Sequence, residues 1–113
     1  MKKPLTFIIA SLFSLSSMSQ TQQEMNNTAF KEYKKEDEEM AKMYKKVMST
    51  RNTKESKNLL LEAQRAWIKY KEAHCKSVAD IYEGGSMAPL VYYSCLTELT
   101  IERKARLKSI LEY

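Results

Sequence analysis

Beyond residue 20 the chain contains only two glycines and one proline, and all three fall within six residues: Gly84, Gly85 and Pro89. Glycine and proline are the residues that interrupt helices. A stretch of more than sixty residues without either, rich in Lys, Glu, Leu, Met and Ala, strongly favours helix. Strand-type alternation is absent. The chain is therefore expected to be all-α, with its one sharp corner in YEGGSMAP, Tyr82 to Pro89.

Hydrophobic spacing divides the rest. TQQE places Glu24 three residues after Thr21, a capping box that predicts a helix start at Thr21. Phe30, Tyr33, Met40, Tyr44 and Val47 then follow one helical face. STRNTKES breaks the pattern, and Asn52 or Thr53 is placed to cap a second helix with Glu55 in its first turn. That helix is expected from about Lys54 to Tyr82. Its stripe reads Leu60, Ala63, Trp67, Tyr70, His74 and Val78, widened by Leu59, Leu61, Ile68 and Ile81. Gly84 and Gly85 stop it. A third helix starts between Ser86 and Pro89 and buries Tyr92, Leu96, Leu99, Arg103, Leu107 and Ile110. Three helices with short connections imply a small three-helix antiparallel arrangement.

The first nineteen residues are read apart. Lys2 and Lys3 precede an apolar run from about Leu5 to Leu15, and Ser17-Met18-Ser19 fits a small-x-small cut. This is the pattern of a bacterial secretory signal peptide, too short in its apolar run to span a membrane comfortably. No Cys lies near the cut, so lipid attachment is not expected. Of 113 residues, 113 less 19 leaves 94 in one domain, residues 20–113. No second hydrophobic segment follows, so no membrane is expected to hold the processed chain, which belongs in the periplasm or outside the cell. Without Lys2 and Lys3, 17 basic side chains face 14 acidic ones, a formal charge of +3. Lys and Glu are interspersed, which excludes nucleic acid as a natural partner. Cys75 and Cys95 form an even pair in an oxidising compartment, read as one disulfide joining helices two and three.

Chemistry-bearing residues are few. His74 stands alone. With Cys75 and Cys95 it gives three candidate ligands, and none of the thiolates zinc requires once the cysteines are oxidised. No nucleophile, phosphate loop or metal motif is present, so neither an enzyme nor a cofactor is expected. Asp37 and Arg103 are charges on apolar seams, and a seam charge must be paired or solvated. Asp37 is expected close to Arg103 or Lys71. The assignment is a structural ion pair of Asp37 and Arg103 that fixes register, and the functional alternative is a charged cleft that holds a ligand. Trp67 is expected in the core or as a binding anchor. Lys71 would lay its stem over the Trp67 ring and expose its ammonium. The loop Gly84, Gly85, Ser86 and Met87 is the candidate binding feature, because two helices and a bridge would hold it rigid.

TQQEMNNTA, YKKEDEEM, AQRAWIKYKEAHC and GGSMAPLVYYSCLTELTIER, in that order, resemble the LprI-like family, whose domain is named for a lysozyme-inhibitor lipoprotein. The resemblance runs from about Thr21 to Leu111 and implies a small, exported, mostly helical domain of bacterial envelopes. Trp67, Cys75, Cys95, Leu99, Thr100 and Arg103 match its typical positions. Thr28 stands where the family usually has Cys, and a second Cys upstream of the TQ motif is also missing. Lys71 replaces an Arg and Glu72 an Asp. Glu36 replaces an Ala, which suggests an exposed turn there. The resemblance implies a lysozyme partner and its inhibition. Glycosidases use two carboxyl groups flanking the scissile bond, and a rigid loop such as Gly84 to Ala88 is expected to fill such a cleft, with Ser86 hydrogen-bonding a carboxyl. The alternative is a non-inhibitory module that binds another envelope protein. Animal-type lysozymes are generally basic, as this chain mildly is, so long-range attraction is expected to be weak or repulsive.

Overall fold

Helix formers without interruption produce long helices, and the computed structural model has three. It describes the backbone from Lys3 and side chains from Thr21. Helix α1 spans Lys3–Ser49, α2 Lys54–Ala79 and α3 Ala88–Ile110, with a single 3₁₀ turn at Asp80–Tyr82 after α2. No strand occurs among the described residues. The expected start at Thr21 is not realised, because α1 runs through it. A capping box works only where the preceding backbone leaves the helix, and no glycine lies there to make it leave. The expected leader and its cut lie outside the described side chains.

The first corner uses hydroxyls. Ser49 Oγ and Thr50 Oγ1 donate to the carbonyls of Lys46 and Val47 at 2.6 Å each, satisfying the orphan acceptors at the end of α1. Thr53, in extended backbone, caps α2 through its Oγ1, which accepts from the Ser56 amide at 3.1 Å. At the second corner Gly84 has φ +81°, the left-handed conformation that stops a helix. Gly85 donates to the Tyr82 carbonyl at 3.0 Å, and a Cβ there would meet that oxygen at 3.2 Å. Pro89 then fits the first turn of α3, whose amides lack partners.

Contacts establish an up-down-up bundle. Phe30 meets Tyr93, while Glu36 and Glu39 meet Lys104, so α1 and α3 run parallel. Tyr33 meets Lys71 and Met40 meets Gln64, so α2 runs against α1. Helix α3 packs closely along α1 and also along α2. Backbones of α1 and α2 approach little, and long side chains bridge between them. The apolar core is small. Met40, Val47, Leu60 and Leu107 form it, with Met43, Tyr44, Met48, Trp67 and Ile110 packed around. It sits at the end that holds the α1–α2 corner. The other end is tied by the Cys75–Cys95 disulfide, whose Cα atoms are 5.5 Å apart. The described core residues and the bridge lie between residues 29 and 110.

The inner face of α2 differs from the expected stripe. Leu60, Gln64, Lys71, Cys75 and Ala79 are buried, with Trp67 and Val78 half-buried. Ala63, Tyr70 and His74 are exposed, and Tyr70 and His74 stack on each other at 5.4 Å. Leu59, Ile68 and Ile81, expected to widen the stripe, are also exposed. Helix α3 follows its expected stripe, with Thr100 added to the interior.

Candidate functional site

Where the three helices meet, α2 places two polar side chains in the interior. Gln64 Nε2 donates to the Met40 sulfur at 3.1 Å, and its Oε1 accepts from Arg103 Nε at 2.9 Å. Lys71 Nζ donates to the Tyr33 hydroxyl at 2.7 Å and lies 3.5 Å from Asp37 Oδ1. It also stands 4.7 Å from the centroid of the Trp67 ring and 5.0 Å from that of Tyr33. Lys71 is only 4% exposed. Its ammonium is therefore held by a hydroxyl, one carboxylate and two ring faces, rather than presented to solvent as expected. A Lys makes this contact with a single nitrogen, where an Arg would offer a two-pronged fork.

Asp37 thus meets Lys71, and Arg103 meets Gln64. Among the described residues Arg103 joins no ion pair, and its Nη2 is buried without a hydrogen-bond partner. Burial pushes the Arg103 guanidinium below its usual range, and Tyr44 opposes this weakly. Trp67 is half-buried against the core. Thr100 is fully buried, its hydroxyl donated to the Leu96 carbonyl at 2.6 Å. These residues join the helices to one another. Glu36, expected on an exposed turn, instead accepts from Lys104 at 2.8 Å with its side chain 19% exposed.

The opposite end of the bundle has another character. Gly84, Gly85, Ser86 and Met87 are all exposed. Asn26 of α1 donates its side-chain amide to the Ser86 carbonyl at 2.9 Å and fixes the loop from below. The disulfide ties the helices that carry the loop. Ile81 is 82% exposed, and Tyr82, Met87 and Met25 also show large apolar area at this end. A shallow groove of about 450 Å³ runs under the loop, lined by Ala79, Asp80, Gly84, Pro89, Tyr92 and Tyr93. Burial raises the Tyr92 phenol above its ordinary value, and the Glu72 carboxylate adds to this. Sequence reasoning found the loop but missed Asn26, because nothing local to an Asn inside a helix names a partner sixty residues away.

Charge is divided between the two ends. Residues 21–35 and 72–98 form the loop end. They hold Glu24, Glu32, Glu72, Asp80, Glu83 and Glu98 against Lys31, Lys34, Lys35 and Lys76. Six acids against four lysines make this end net negative, although residues 20–113 as a whole are net positive. Among the described residues no group of three His, Cys, Asp or Glu side chains is arranged to hold a metal, and no helix is long and apolar enough to cross a membrane.

Residues 15–107 match the family model described as lysozyme inhibitor LprI. The chain belongs to the LprI family. An uncharacterized protein of Rhizobium meliloti (strain 1021) is 32% identical over 104 residues, which take in 81% of this chain and 75% of the relative. No solved structure matches significantly. The matched range takes in the whole of α2, most of α1 and α3, and both cysteines of this LprI-family chain.

Proposed function

We propose that this LprI-family protein is exported to the bacterial envelope, where it binds a lysozyme and inhibits it through its loop end. The observation that carries the reading is the character of that end: an exposed loop held by Asn26, flanked by apolar side chains, on a surface whose charge is negative. Net charge alone argued against attraction to a basic enzyme. The local charge reverses that argument, since encounter is governed by the surface that docks. Ile81, Tyr82 and Met87 supply apolar area for close contact. The Ser86 hydroxyl, at the tip of a fixed turn, reaches a carboxyl of the glycosidase cleft, where two such groups flank the scissile bond. The family description supports the partner class.

The test is titration of the oxidised chain, residues 20–113, against a panel of lysozymes, reading both binding and cell-wall hydrolysis. Saturable inhibition is expected for at least one basic lysozyme. Replacing Ser86→Ala together with Met87→Ser should weaken it about tenfold or more while the melting temperature stays unchanged, as truncation of a central contact does. Unchanged inhibition by that variant would remove the loop from the mechanism. A folded chain that binds no lysozyme in the panel would shift the reading to another envelope protein on the same face.

A further inference from the structure

The other end of the bundle is as strongly marked as the loop end. Residues 42–57, which form the α1–α2 corner, carry Lys42, Lys45, Lys46, Arg51, Lys54 and Lys57 against a single acid, Glu55. Leu107 shares the apolar core with Val47, and Met48 and Ile110 both pack against that core. The C-terminal turn of α3, with Arg106 and Lys108, is thereby brought beside this corner. Among the described residues none of these cations is in an ion pair.

Helix stability accounts for only part of the cluster. Lys46 lies in the last turn of α1, where the helix dipole welcomes a cation. Lys54 and Lys57 lie in the first turn of α2, where the same dipole opposes them and only Glu55 compensates. The cations are also interleaved with exposed apolar groups. Leu59 is 66% exposed, Leu111 40%, and Tyr113 fully exposed. A soluble polyanion would be recognised by charge alone. Lysines mixed with exposed Leu and Tyr suit the headgroup boundary of a bilayer, where cations meet anionic lipid and small apolar side chains enter the interface.

We propose that the α1–α2 corner is a peripheral docking surface for anionic phospholipid membrane. Such docking needs no apolar span. It turns the acidic Gly84–Met87 end away from the bilayer, toward whatever that end binds, and it stands independently of the lysozyme reading.

The test is sedimentation of residues 20–113 with vesicles of pure phosphatidylcholine or of phosphatidylcholine with 30% phosphatidylglycerol. Binding is expected only to the anionic vesicles. It should vanish in 1 M salt, where the screening length falls to about 3 Å. Each basic residue at such a surface strengthens binding about fivefold, so the variant Lys45→Gln, Lys46→Gln, Lys54→Gln, Lys57→Gln should lose about 600-fold. All four side chains are exposed, so its melting temperature should match the parent. Tyr113→Ser should weaken binding a few-fold, which charge alone would not produce. The control Asp80→Asn, Glu83→Gln alters the other end and should bind as the parent does. Equal binding to both vesicles, retention by the fourfold variant, or binding to soluble polyphosphate without vesicle binding would each overturn the proposal.

Discussion

At the scale of the residue, Lys71 is the side chain that most needs its neighbours. It is buried, while the Asp37 side chain is 45% exposed. The two halves of the pair should therefore respond unequally. Asp37→Asn leaves a buried ammonium with only a hydroxyl and two rings, and should cost about 1–3 kcal/mol. Lys71→Met removes the charge, keeps the stem over Trp67, and leaves Asp37 to water. It should change stability by less than about 1 kcal/mol. The double variant should be no less stable than Asp37→Asn alone. Urea denaturation midpoints at constant slope measure all three. A Lys71→Met loss larger than that of Asp37→Asn would show that the ammonium's hydrogen bond, not its burial, dominates.

At the scale of the element, α1 and α3 are clamped where Lys104 donates to Glu36 and Glu39 at 2.8 Å each. The Lys104 hydrogen bond, then its charge, holds Glu39 below its ordinary value of 4.5. Its hydrogen bonds to the Glu36 and Glu39 carboxylates raise Lys104 above its ordinary 10.5. A lowered carboxylate stabilises the fold above 4.5, and that contribution is lost as pH falls through its folded value. A raised lysine stabilises below 10.5, and its contribution is lost as pH rises through its folded value. The stability advantage of the parent over Lys104→Met should thus be level from about pH 6 to 9 and close below about pH 4. Thermal melts of both chains across that range decide it. An advantage that persists at pH 3 would mean that packing of the lysine stem, not its charge, joins the helices.

At the scale of the molecule, a bundle with so few fully buried side chains depends on its bridge. The Cys75–Cys95 disulfide has a sequence separation of 20. In the chain-entropy view a loop of that size contributes about 3 kcal/mol, a large share of the stability of a small domain. Cys75→Ser with Cys95→Ser should lower the melting temperature by about 12 °C or more. Loss of a few degrees only would show that the Gln64–Arg103 hydrogen bond and the apolar core hold α2 to α3 without it. The two charged ends are a property of the same scale. The basic corner is already contiguous in the chain at residues 42–57. The topology adds the end of α3 to it and brings residues 21–35 beside 72–98 at the opposite end.

Local chemistry was enough to determine the helix count, a cap at Asn52 or Thr53, the glycine corner and the identity of the disulfide. Each depends on residues close in the chain or on there being only two cysteines. Local chemistry also set the inner stripe of α3. It failed at Thr21, where a capping signal lies inside a helix that nothing interrupts. It failed again on α2, where Tyr70 and His74 were taken as inside and Gln64 and Lys71 are. One clue was available: Leu60, Gln64, Trp67, Lys71 and Cys75 share a helical face that contains a cysteine obliged to meet α3. Tertiary structure decided the rest. The backbones of α1 and α2 stand apart, and only long side chains with polar tips fill that gap while finding partners at Tyr33, Asp37, Met40 and Arg103. Hydrophobic periodicity finds apolar faces and is blind to a polar one that the fold encloses.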